Sequence, residues 1–285
     1  MLEIRTFGGF SLRKDGEAIQ DLGSRKAEAI LVYLAVTGQP QPRSVMAALL
    51  WPENSEIHAL TSLRVALTAL RRVLGEYVDI SRDTVGIKPG ALIYLDVSDL
   101  REKLTSEQVE HALEIYRGDF LAGFNLRDSL EFEDWRRLQA EHLRQLLISG
   151  LHTAINDTIE AEEYKKGLFL VQQLIELDPL DEWAHRQGML LYALDGQRGL
   201  SLEQYAQCRA VLEAELGVEP SPETKQLYEK IIQGTQPLYS RAVIPPHNLP
   251  APQTSFIGRQ KELVQIASLL RDPACRLLTL VGPGG

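Results

Sequence analysis

Cysteine is nearly missing from this sequence of 285 residues: there are two, Cys208 and Cys275. Two thiols so far apart cannot form a disulfide framework, and their spacing matches no zinc site. They are expected to stay reduced, in a cytoplasmic protein. Long apolar runs are missing too. The longest, Ile30 to Val36, falls far short of the ~20 residues of a membrane span, so no membrane partner is expected. The start, Met1-Leu2-Glu3-Ile4-Arg5, lacks the basic-then-apolar pattern of a secretory signal. His111, His142, His152 and His185 have no metal spacing among themselves, and no Ser/His/Asp arrangement stands out. No metal site and no catalytic residue is therefore expected.

What is present is an ordinary globular balance, 44% apolar and 24% charged, over a length that suggests roughly two domains. The net charge of −9 argues against a wholly electrostatic nucleic-acid binder. It is unevenly spread. Residues 1–97 are neutral, residues 98–238 carry −12 and residues 239–285 carry +3. Phosphate would be repelled by the middle segment, so any nucleic-acid contact belongs to the first.

That first segment mixes strands and helices. Leu2 to Phe7 and Phe10 to Lys14 alternate apolar and polar around Gly8-Gly9, as a hairpin does, and Ala18-Ile19 is a third short strand. Ser24 caps a helix ending at Thr37, with Gly38 just past it. A short helix from Arg43 to Leu50 follows. After the turn Trp51 to Ser55, a third helix runs from Glu56 to Leu74 and is closed by Gly75. Tyr77 to Ser81 and Thr84 to Lys88 form a second hairpin with Arg82-Asp83 at its tip, and Leu92 to Leu95 adds a strand.

The third helix is the most informative element. On a helical wheel Leu60, Leu63, Leu67, Leu70 and Leu74 share one sector, the core face. The opposite face centres on Thr61, Val65, Thr68 and Arg72, flanked by Arg64 and Arg71 on one side and Ser62 and Ala69 on the other. No acidic residue lies between Leu60 and Gly75. Small side chains allow close approach to base edges, arginine makes bidentate contacts to guanine, and valine can meet a thymine methyl. The short helix before it makes this the second helix of a helix-turn-helix, and the hairpin after it a wing with Arg82 near phosphate. Ordinary solvated arginines are the bland alternative.

From Ser98 to Gly234 only helical periodicity remains, as in Leu138, His142, Leu146 and Leu147, or Leu170, Val171, Leu174 and Ile175. A 41-residue shift maps Tyr164 onto Tyr205 and Pro179 onto Pro220, the mark of stacked helical pairs. A period above the usual ~34 residues asks for a longer turn, for which Asp195 to Gly199 is the candidate. Tyr116, Phe120, Phe132 and Trp135 read as inter-helix packing or a ligand surface, and Glu160, Glu162 and Glu163 as a solvated helix end or acid/base groups. Residues 235–254 hold Pro237, Pro245, Pro246, Pro250 and Pro252 and read as a linker. Residues 255–285 end in a strand followed by Gly282-Pro283-Gly284-Gly285. Such glycines either begin a phosphate loop or are an accidental tail.

Residues 1–97 resemble the winged-helix domain of response regulators, most closely the variant in bacterial activators of the antibiotic-regulatory-protein type. The resemblance rests on Leu49-Leu50-Trp51-Pro52, on Ala59-Leu60 through Leu63-Arg64 to Leu70-Arg71-Arg72-Val73-Leu74-Gly75, and on Leu95-Asp96-Val97. Tyr116 to Leu121, Phe132 to Trp135 and Leu216 to Thr224 look like signatures of the bacterial transcriptional activation domain, a tetratricopeptide-like array. In the last string Gly217 ends one helix, and Ser221-Pro222 starts the next with a cap and a proline. Phe256 to Arg259, with Leu278 to Gly285, resembles the start of a signal-transduction ATPase.

The resemblance implies an α+β winged helix-turn-helix domain (1–97), an all-α tetratricopeptide-like domain (98–234), the linker and the truncated start of a P-loop ATPase (255–285). It implies DNA contacts by Thr61, Arg64, Val65, Thr68 and Arg72, with phosphate contacts near Arg43 and the wing; Arg71 and Arg82 join them on position. Gly282, Gly284 and Gly285 would line an incomplete phosphate loop. The expected function is sequence-specific transcription regulation, by activation through RNA polymerase. Direct repeats are the expected operator, because no heptad seam for a two-fold dimer is present, and self-association is expected on the DNA. The chain is expected to be the front end of a longer protein. It is expected to hold no cofactor and to have no enzymatic activity itself, ATP or ADP being the expected ligand of the full-length protein. The alternatives are a protein-binding helical scaffold with an architectural winged helix, and an ATP-driven switch enzyme.

Overall fold

The computed structural model describes residues 1–234 and Leu238. In chain order its first elements are β1 (Leu2–Arg5), β2 (Ser11–Lys14), β3 (Glu17–Ala18), α1 (Arg25–Thr37), β4 (Gln41–Pro42), α2 (Arg43–Leu50), α3 (Glu56–Leu74), β5 (Val78–Ile80), β6 (Thr84–Ile87) and β7 (Ile93–Leu95). All later elements are helical: α4 (Asp96–Thr105), α5 (Val109–Ile115), α6 (Leu130–Glu160), α7 (Tyr164–Leu177), α8 (Glu182–Leu194), α9 (Arg198–Leu216) and α10 (Pro222–Gln233). The chain thus runs from a winged helix-turn-helix into an all-α array, and the described residues fall in one compact unit. None of their helices is long and apolar enough to cross a membrane.

Local sequence explains the first helices. The Ser24 hydroxyl accepts the Ala27 amide at 3.1 Å, and Gly38 leaves α1 in the left-handed region at φ 67°. The buried residues of α1 and α3 share one hydrophobic cluster with Leu2, Ile4 and Leu12 of the sheet ordered β3-β2-β1-β7, in which β7 runs parallel to β1 with Leu2 opposite Ile93. The wing is a separate sheet ordered β4-β6-β5. Its β4 is an addition to the expected elements. Gln41 pairs with Val85 and Pro42 with Thr84, a pairing of distant residues that local alternation cannot announce. Gly75 closes α3 after Leu74 as expected, in right-handed geometry at φ −61°.

The helical array corrects three readings. α9 begins at Arg198 after only Asp195 to Gln197. The surplus over a 34-residue repeat therefore lies in α9 itself, 19 residues against 14 in α7, and not in a long turn. In α6 the buried ridge is Leu143, Leu147, Ile148, Leu151 and Ile155, while Leu138 and His142 point to solvent. Ser221 stands at the start of α10 but makes no cap bond. Its hydroxyl donates to Glu182 at 2.6 Å and its amide to the same carboxylate at 2.8 Å, tying α10 to α8.

The two domains interlock. α4 starts at Asp96, directly after β7, and the Tyr116 to Leu121 segment lies against the end of β1. There the Leu121 amide donates to the Thr6 carbonyl at 2.7 Å and Phe120 bridges Phe7. Gly8, at φ 74°, lies so close to Arg117 that a Cβ would sit 2.8 Å from its carbonyl oxygen. Tyr116, Phe120, Phe132 and Trp135 pack across this seam as well as between helices. The Tyr33 ring of α1 lies 4.7 Å from Trp135, and Phe7 lies 5.0 Å from Tyr116. Burial and the Asp119 hydrogen bond push the Tyr116 hydroxyl above its ordinary pKa. With so much shared core, amide relaxation should return one rotational correlation time for residues 1–97 and 98–234. Two distinct times would contradict the interlock.

Candidate nucleic-acid interface

The outer face of α3 is open. Thr61, Arg64, Val65, Thr68, Arg71 and Arg72 are all exposed, Val65 to 68%. The opposite ridge, Leu63, Leu67, Leu70 and Leu74, is buried, and Leu60 is half-buried beside it. The Thr61 and Thr68 hydroxyls donate back to the Ile57 and Arg64 carbonyls, both at 2.8 Å. This use of the hydroxyl protons keeps the face smooth and leaves oxygen lone pairs as acceptors. Ile57, 77% exposed, continues the same stripe one turn earlier. Ile57 is an addition to the face expected from Thr61 onward, and the four-residue spacing 57, 61, 65 is the signal that points to it.

One flank of the helix is not free. Gly23, in the loop before α1, approaches so closely that a Cβ there would lie 2.9 Å from that of Ala69. Approach to α3 is therefore from the opposite flank, where the wing stands. There the arginines divide in two groups. Arg71 donates from Nη2 to the Ile80 carbonyl at 2.8 Å, and half-buried Arg43 points Nη1 at the Ser81 and Arg82 carbonyls at 3.4 and 3.5 Å. The Arg43 amide also donates to the Asp83 carbonyl at 2.9 Å. These two fasten the wing to the helix-turn-helix. The side chains of Arg64, Arg72 and Arg82 make no hydrogen bond or ion pair with any described residue. Arg43, Arg64, Thr68, Arg71 and Ser81 line a cleft of about 250 Å³ between α3 and the wing. Three guanidinium groups around so small a space suit a phosphate-sized anion.

The turn between α2 and α3 is held by the second domain. The Leu50 carbonyl accepts from Lys26 Nζ at 2.6 Å and from the buried Ser129 hydroxyl at 2.7 Å. Lys26 also pairs with Asp128 at 2.8 Å and lies 4.8 Å from the Trp51 ring centre. The lysine bond holds the Asp128 carboxyl below its ordinary pKa. The turn ahead of α3 is thereby fixed jointly by α1 and by the helical domain.

Elsewhere the titratable groups serve packing. His185 bonds the Pro179 carbonyl and Gln204, and His152 meets Asp181 at 2.8 Å while lying on Trp183. Burial pushes the Cys208 thiol up to about 11. Glu160, Glu162 and Glu163 are exposed around the α6–α7 turn. Among the described residues no three His, Cys, Asp or Glu side chains gather as a metal site. Gly282, Gly284 and Gly285 lie outside the described residues, as do Cys275, the proline-rich segment and the Phe256 to Arg259 string.

Comparison with known proteins adds the following. Residues 97–232 match the family described as the bacterial transcriptional activator domain. The regulatory protein AfsR of Streptomyces coelicolor is 27% identical over 278 residues, covering 82% of this chain and 27% of its own length. The transcriptional regulatory protein MoaR1 of Mycobacterium tuberculosis is 23% identical over 255 residues, covering 81% of this chain and 79% of its own. This chain spans about a quarter of the length of the AfsR relatives it matches. Among solved structures, Mycobacterium tuberculosis EmbR in complex with a low-affinity phosphopeptide is similar with a TM-score of 0.60 and 19% identity. That match covers 82% of this chain and 65% of EmbR, and is a likeness of fold.

Proposed function

We propose that this chain, which carries a bacterial transcriptional activator domain and is of the antibiotic-regulatory-protein type, binds double-stranded DNA sequence-specifically and activates transcription. The observation that carries the reading is the exposed, acid-free outer face of α3, with Val65 at its centre and unpaired arginines beside it. α3 lies in the major groove. Ile57, Thr61, Val65, Thr68 and Arg72 meet base edges. The cleft of Arg43, Arg64 and Arg71 takes one phosphate, and Arg82 at the wing tip another.

The helical domain, net acidic and buttressing the α2–α3 turn, offers the contact to RNA polymerase. Chains assemble side by side on direct repeats. The division into 1–97, 98–234, linker and ATPase start belongs to this proposal. So do ATP or ADP binding by a longer protein, the cytoplasmic setting and the absence of catalysis by residues 1–234.

The test is a binding titration on a duplex selected from a random pool and on its scrambled counterpart. Wild type should prefer the selected duplex. Arg72→Ala should cost roughly 1–3 kcal/mol on it and relax the preference. Arg82→Ala should weaken both duplexes alike and lower the log–log salt slope by about one. Equal binding of the two duplexes by wild type would instead make the winged helix an architectural module.

A further inference from the structure

A cleft of about 580 Å³ opens where β2 and β3, the first turns of α1 and the 122–124 turn of the helical domain meet. Its volume is in the range of small-molecule sites, which favour domain junctions. Its lining joins two kinds of surface. Phe10 and Phe124 supply rings, edge to face with centres 6.0 Å apart. Arg13 and Arg25 supply guanidinium groups, and the Arg25 head is held 5.3 Å from the centre of the Phe124 ring.

Half-buried Glu28 supplies a carboxylate on the next turn of α1. The side chains of Arg13, Arg25 and Glu28 have no hydrogen bond or ion pair with a described residue. Burial raises the Glu28 pKa and the nearby Arg25 charge only partly offsets it. A carboxyl removed from water with no donor is costly to leave so, and a ligand hydroxyl or amine would satisfy it.

We propose that this cleft binds a small aromatic carboxylate that carries a hydroxyl or amine at its far end. Arg13 and Arg25 take the ligand carboxylate, a group that the guanidinium fork matches in bidentate fashion. The ligand ring lies against Phe10 and Phe124. Glu28 accepts the hydrogen of the distal hydroxyl or amine. Since the walls come from both domains, occupancy clamps them together and raises the melting temperature of the whole unit. The site shares no residue with the α3 face and does not depend on the DNA reading.

The experiment is calorimetric titration of the full chain with 4-hydroxybenzoate, benzoate and inorganic phosphate, with melting followed in parallel. 4-Hydroxybenzoate should bind saturably at one site, more tightly than benzoate, and phosphate more weakly than both. Arg25→Ala should weaken both aromatic anions roughly tenfold or more while lowering the ligand-free melting temperature by no more than about 4 °C, the worth of its contact with the Phe124 ring. Glu28→Gln should remove the advantage of the hydroxyl while keeping benzoate binding. Arg72→Ala should change nothing. Three results would overturn the proposal: no saturable binding of either aromatic anion, phosphate binding as tightly as 4-hydroxybenzoate, or Arg25→Ala binding like wild type.

Discussion

Phe132→Ala is expected to cost about 3–5 kcal/mol, the range for removing a fully buried aromatic ring. Phe132 has no solvent exposure. Its ring centre lies 5.4 Å from Trp135 and 6.1 Å from Phe124, and Trp135 carries the contact on to Phe120 at 5.9 Å and Tyr33 at 4.7 Å. Tyr33 belongs to α1, so the cavity would open in the seam between the domains and not inside one of them. For a unit of this size the loss corresponds to a melting temperature lower by about 6–20 °C. The paired control is Leu138→Ala, six residues along the same helix. Leu138 is 70% exposed, so its truncation should stay within about 0.5 kcal/mol of wild type. Calorimetry of both variants decides the matter. A Phe132→Ala melt within a degree or two of wild type would remove the seam from the core, and a large loss in Leu138→Ala would reverse the assigned phase of α6.

How far such features can be read from sequence depends on the range of the interaction. The ends of α1 were legible because Ser24 and Gly38 act on backbone groups three and four residues away. The open face of α3 was legible because a 19-residue helix that buries one stripe against one core keeps a clean period. In α6 the same reasoning chose Leu138 and His142 in place of Leu143 and Leu151. A helix of 31 residues packs against α2, α4, α5, α7 and α8, so its apolar residues do not stay on a single stripe. The roles of Arg43 and Arg71 were hidden for a different cause. Their partners are carbonyls of Ile80, Ser81 and Arg82, whose position is set by the wing's own pairing. Residue type and spacing placed these arginines on the right side of the molecule but not in their fastening role.

Asp96→Ala should be nearly as damaging as the loss of Phe132, by a different route. Asp96 is 4% exposed and sits in the first turn of α4, where the helix dipole favours a negative charge. Its carboxylate accepts the Thr6 and Phe7 amides, the latter at 3.0 Å, the Thr6 hydroxyl at 2.8 Å and its own neighbour's amide, Val97, at 2.9 Å. Thr6 and Phe7 follow β1, so one side chain joins the turn after the first strand to the start of α4. Alanine would leave three backbone amides and a hydroxyl in a buried place without partners. At about 1–3 kcal/mol for each unsatisfied group, discounted for water that enters the gap, the expected loss is about 3–5 kcal/mol.

Asn at this position separates charge from shape. It keeps the volume and one acceptor oxygen but turns an NH2 toward donors, so it should recover little of the stability. Glu would push its carboxylate one methylene too far and should also fail. Hydrogen exchange gives the site-specific readout. In Asp96→Ala the amides of Thr6, Phe7 and Leu121 should lose protection first, while those of α9 and α10 keep theirs until global unfolding. If those three amides stayed as protected as in wild type, or if Asp96→Asn matched wild type in stability, the carboxylate would not be what fastens the first sheet to α4.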